Sequence, residues 1–94
     1  MKSTGKHYTI EKILANVKSK RHFADEVVKI FSPYGQVKNS TLIVEKSPQR
    51  IEGSCFVEME TLEQAIAAQN QFDTLLLGNR HLYFSVNLSN DFVE

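Results

Sequence analysis

Between Glu52 and Glu60 the chain reads Glu-Gly-Ser-Cys-Phe-Val-Glu-Met-Glu, an alternation that leaves room for little except a β-strand with one apolar face. Side chains along a strand point to opposite faces in turn. Gly53, Cys55, Val57 and Met59 therefore share one side, and Glu52, Ser54, Phe56 and Glu58 the other. The first set suits a core. On the second, Phe56 stands among polar neighbours, as a cross-strand partner for another aromatic or as a ligand contact.

The remaining segments arrange themselves around this strand in the order β, α, β, β, α, β. A first strand is expected over residues 8–15. A helix is expected over about 23–32, where Phe23, Val27, Ile30 and Phe31 recur at helical spacing and Pro33-Tyr34-Gly35 stops the run. The second strand covers about 37–45, and a polar loop with Pro48 leads to the third. Thr61 followed by Gln64 reads as a capping box opening a helix that runs to about residue 72. A short extra strand over 75–77 is admissible, Gly78-Asn79 marks a turn, and residues 80–88 form the last strand, with Leu82, Phe84 and Val86 inward and Tyr83, Ser85 and Asn87 outward.

The expected architecture is α+β, a ferredoxin-like βαββαβ sandwich. Its four-stranded antiparallel sheet has the order 4-1-3-2, with two helices on one face and the other face bare. Residues 1–7 read as a flexible lead, 8–88 as the domain and 89–94 as a short tail. On the bare face the expected set is Ile13, Thr41, Ile43, Ser54, Phe56, Tyr83 and Asn87.

Ninety-four residues without a long apolar run describe one small soluble domain, with no signal or membrane-spanning segment. The lone Cys55 falls on the apolar face and reads as a small core residue, which points to a reducing interior, cytoplasmic or, in a eukaryote, nuclear. Eleven basic and eleven acidic side chains cancel, so net charge alone does not announce a nucleic-acid ligand. Their distribution is uneven: residues 1–22 hold six Lys or Arg against Glu11, whereas residues 52–73 hold acids and no base.

The layout and several local motifs resemble the RNA recognition motif over about residues 9–88. Phe31-Ser-Pro-Tyr34-Gly35-Gln-Val37 looks like that family's end of the first helix. Residues 63–70 with Leu77-Gly78-Asn79-Arg80 look like its second helix and the turn into the last strand. Its six-residue signature is matched by Lys12-Ile13-Leu14-Ala15-Asn16-Val17 and its eight-residue one by residues 52–59. The resemblance implies single-stranded RNA as ligand, with bases stacked on three aromatics. Here Ile13 and Ser54 stand at two of those places and Phe56 at the third, and Glu52 stands where a basic residue contacts phosphate. Lys12 falls at a core position, and a shift of one residue would instead send Leu14 to the open face.

In that topology three loops meet at one end of the sheet, bringing Lys18, Lys20 and Arg21 together with Lys46, Arg50 and Arg80 as a basic rim for phosphates. The ordinary alternative is that these loops are simply solvated. Binding of modest affinity is expected, with Phe56 and Tyr83 stacking, since each stacked base contributes about 1–3 kcal/mol. Enzyme chemistry is not expected. His7, His22 and His81 lack metal-ligand spacing, no glycine loop cradles a phosphate, and no cofactor is implied. The loop at 17–22 has the Arg of an acylphosphatase but no Gly. The rival reading is a protein interaction or homodimerisation module using Ile13, Ile43 and Phe56 as an apolar patch. No membrane partner is expected.

Overall fold

A computed structural model of the chain describes residues 5–72 and 75–93. The elements run α1 (Gly5–Leu14), α2 (Lys20–Phe31), β1 (Val37–Lys46), β2 (Ile51–Met59), α3 (Leu62–Gln69), β3 (Leu76–Gly78) and β4 (His81–Leu88). The strands make one antiparallel sheet in the spatial order β1-β2-β4-β3. This is the expected α+β class of four-stranded sheet and helices, with one difference in how the chain fills it.

The segment expected as the first strand is helix α1. Ile10, Leu14 and Val17 recur at i, i+4 and i+7, and all three are fully buried. As a strand, the same segment would alternate Ile10, Lys12 and Leu14 onto the core face and leave an ammonium without water, which is costly. Helical spacing buries the aliphatics and keeps Lys12 at the surface. Ile13, expected on the sheet, lies on this helix, 37% exposed. Of the expected lead, residues 1–4 lie outside the described residues and residues 5–7 open α1.

The vacant seat in the sheet is taken by β4. Tyr83 faces Phe56, Ser85 faces Ser54 and Asn87 faces Glu52 in an antiparallel register. The expected order had residues 80–88 separated from residues 52–59 by a strand and running parallel to them, so the 4-1-3-2 order is corrected to β1-β2-β4-β3. A tight hairpin dictates this direction. Asn79, with φ 59°, turns the chain between Gly78 and His81, and the short β3 therefore runs antiparallel beside β4. β2 and β3 flank β4 and are both antiparallel to it. The four seats and their directions match those of the expected sheet, but the chain enters one element later: α-β-β-α-β-β from α2 onward.

The core lies between one sheet face and the helices. Cys55, Val57 and Met59 of β2 and Leu82, Phe84, Val86 and Leu88 of β4 meet Phe23, Val27 and Phe31 of α2 and Ala65 and Ala68 of α3. Phe31 is at the centre, its ring centroid 6.0 Å from Phe72 and 6.4 Å from Phe84. Burial pushes the Cys55 thiol up to about 12, so it remains a protonated core group. The tail also packs. Phe92 is buried, Ser89 N–H donates to the Ala15 carbonyl at 3.1 Å, and Val93 N–H donates to the Lys18 carbonyl at 2.8 Å.

Local signals set the helix ends. Ser19 Oγ accepts from His22 N–H at 3.1 Å and caps α2. Thr61 Oγ1 accepts from Gln64 N–H at 3.2 Å, one arm of the expected capping box. The side chain of Gln64 lies against Gly35, and its buried Oε1 has no hydrogen-bond partner among the described residues. Gly35 has φ 150°, and a Cβ there would fall inside the Gln64 side chain. Gly35→Ala is therefore expected to cost about 1–3 kcal/mol, read as a lowered urea midpoint with unchanged slope. A variant as stable as the parent would mean that this turn relaxes freely.

Candidate nucleic-acid interface

The sheet face turned away from the α2 and α3 core is built from the alternate residues of each strand. Its central row runs Thr41, Phe56, Tyr83, Leu76, from β1 through β2 and β4 to β3. The Phe56 and Tyr83 rings are half-buried and directly opposed, with centroids 5.1 Å apart and planes at 90°. Such an edge-to-face pair stabilises the sheet by about 0.5–1.5 kcal/mol beyond the area it buries. The His81 ring continues the surface, 6.3 Å from Tyr83 and nearly parallel to it at 26°. Ile43, 50% exposed, and Leu76, 68% exposed, extend the apolar surface on either side.

The next rows are polar. Ser54 and Ser85 are opposed and exposed, and exposed Asn87 faces Glu52. At the other end Glu58 accepts from Asn39 Nδ2 at 3.0 Å and from Arg80 at 3.1 Å, with His81 Nε2 3.8 Å away. The Asn39 hydrogen bond, together with Arg80, His81 and Lys38, holds the Glu58 carboxyl below the usual carboxylate range.

The expected basic rim is only partly assembled. Lys46 and Arg50 flank the β1–β2 turn. The link carrying Lys18 and leading to Lys20 and Arg21 hydrogen-bonds to the tail that leaves β4 beside Ile51, so these five share one end of the sheet. Arg50 pairs with Glu52 at 3.2 Å and Lys18 with Asp91 at 3.2 Å. Arg80 is at the opposite end, bound to Glu58, because β4 runs antiparallel to β2. Ile13 also leaves the set, being on α1. Among the expected contacts, Ser54, Phe56, Tyr83 and Asn87 do share the open face.

Two further residues belong to this surface. His81 was legible, since it is two residues from Tyr83 on the same strand face. Glu11 was not, because its segment, residues 8–15, was expected as the first strand of the sheet. On α1 it borders a hollow of about 430 Å³ whose walls include Ser54, Phe56, Tyr83 and Ser85. It also borders a neighbouring hollow of about 330 Å³ that continues to Lys12, Arg50 and Asn87. Helix α1 thus walls one side of the open face.

Comparison with protein families gives a match to the RNA recognition motif over residues 24–83. The chain belongs to the RNA recognition motif family. No curated protein and no solved structure matches it. The RNA recognition motif match starts within α2 and ends at Tyr83 in β4, so it leaves out α1, the element that replaces the expected first strand. The family is one of non-enzymatic RNA-binding domains, and membership supports RNA as the partner. No helix among the described residues is long and apolar enough to cross a membrane.

Proposed function

We propose that this domain binds single-stranded RNA across the open face of its sheet with modest affinity, stacking bases on Phe56 and Tyr83. The observation that carries the reading is the pair of opposed, half-exposed rings on a face that α2 and α3 leave uncovered. Every base has a π-face, so such a pair accepts any single strand. Ser54 and Asn87, exposed beside the rings, offer hydrogen bonds to base edges or sugar hydroxyls. Lys18, Lys20, Arg21, Lys46 and Arg50 draw the phosphates toward one end of the sheet, and Arg80 serves the other end.

Amide NMR shifts of the 15N-labelled domain, titrated with a pool of short randomised RNA, test this at two salt concentrations. Shifts are expected at Phe56, Tyr83, Ser54 and Asn87 and in the turn holding Lys46 and Arg50. Between about 50 and about 200 mM salt, affinity should fall about twentyfold if three phosphates are neutralised, with a slope near −0.7 for each. No shift at high RNA concentration would overturn the reading. A tumbling time indicating a dimer would then favour the protein-interaction module, with exposed Ile43 and Leu76 as its apolar contacts.

A further inference from the structure

We infer that Glu11 makes this face selective for guanine, a specificity that rests on the RNA reading above. The hollow of about 430 Å³ has Phe56, Tyr83 and Glu11 of α1 among its lining residues, and its size is within the roughly 300–1,000 Å³ of small-molecule sites. Its polar lining residues include Glu11, Ser54, Ser85 and Tyr83, and Glu11 is the charged one among them. A base lying on Phe56 or Tyr83 within this hollow presents an edge toward the α1 wall.

A carboxylate accepts hydrogen bonds and donates none, so it selects an edge carrying donors. Guanine offers two adjacent donors, N1–H and the 2-amino group, spaced for the two oxygens of one carboxylate. Adenine and cytosine each offer one amino group beside an acceptor that a carboxylate repels. Uracil offers a single N3–H between two carbonyls. Inosine keeps N1–H and lacks the 2-amino group, and should fall between guanine and the rest. The second hollow shares Glu11 and continues to Lys12 and to the Arg50–Glu52 ion pair, so charge is balanced there and the preference rests on the base edge alone.

The test compares four-nucleotide RNAs that differ only at one central base, G, A, C, U or inosine, in a uridine context. Binding is followed by NMR titration of the parent domain and of Glu11→Gln. The parent should bind the G oligonucleotide about tenfold more tightly than the U oligonucleotide, with inosine intermediate. Glu11→Gln should reduce that preference to within about twofold while binding the all-uridine strand at least as tightly as the parent, since the lost carboxylate opposed uracil's carbonyls and the phosphates. That retained affinity also shows that the variant is folded. Equal binding of all five by the parent, or an undiminished preference in Glu11→Gln, would overturn the inference and leave the RNA reading standing. Failure of every oligonucleotide to bind the parent would overturn both.

Discussion

Replacing Phe56 and Tyr83 together by alanine is expected to abolish RNA binding in a domain that stays folded. Each ring should contribute about 1–3 kcal/mol by stacking one base, so losing both costs about 2–6 kcal/mol, a thirtyfold or greater rise in Kd. From a modest starting affinity this takes binding beyond the reach of a titration. The fold tolerates the change because both rings point away from the core centred on Phe31, and neither belongs to the fully buried set. What the fold loses is one edge-to-face pair and part of the area that two half-buried rings cover, a fraction of the total stability. Retained amide dispersion together with lost binding is the expected pair of results. Unchanged binding would remove the sheet face as the site.

The second large effect concerns α1. The family match begins at residue 24, which suggests that everything before it is dispensable, yet Ile10 and Leu14 are fully buried in the same core as α2 and the sheet. Ile10→Ala and Leu14→Ala should each cost about 2–5 kcal/mol, combining lost transfer energy with the cavity left behind. A domain of this length has about 5–14 kcal/mol in all. The double variant should therefore be largely unfolded or close to its midpoint at room temperature, as urea denaturation followed by circular dichroism would show. A near-native midpoint would mean that α1 is detachable from the sheet, and Glu11 would then no longer border Phe56 and Tyr83.

Much of the candidate site was legible because strand alternation is a local rule. Phe56, Tyr83, Ser54 and Asn87 were assigned to one face from their spacing alone, and the register brings them together there. The helix stop at Pro33-Tyr34-Gly35 and the cap at Thr61 follow equally from neighbouring residues. Residues 8–15 went astray because the βαββαβ layout places a strand there, where the spacing of Ile10, Leu14 and Val17 favours a helix. From that one exchange came the misplacement of Ile13, the wrong seat for residues 80–88 and the assignment of Arg80 to the basic end.

What the amino-acid order determined by itself is which side chains share a strand or a helix face, since that depends only on the 2.0 and 3.6 periods of the backbone. Seat and direction in the sheet were decided by the tertiary structure. Two strands with apolar inner faces can pair in either direction on hydrophobicity alone, and the Asn79 turn and the packing of α1 are what select one. The same holds for the meeting of Glu11 with Phe56 and Tyr83. More than forty positions separate the carboxylate from the nearer ring, and only the docking of α1 against the sheet brings them into one hollow.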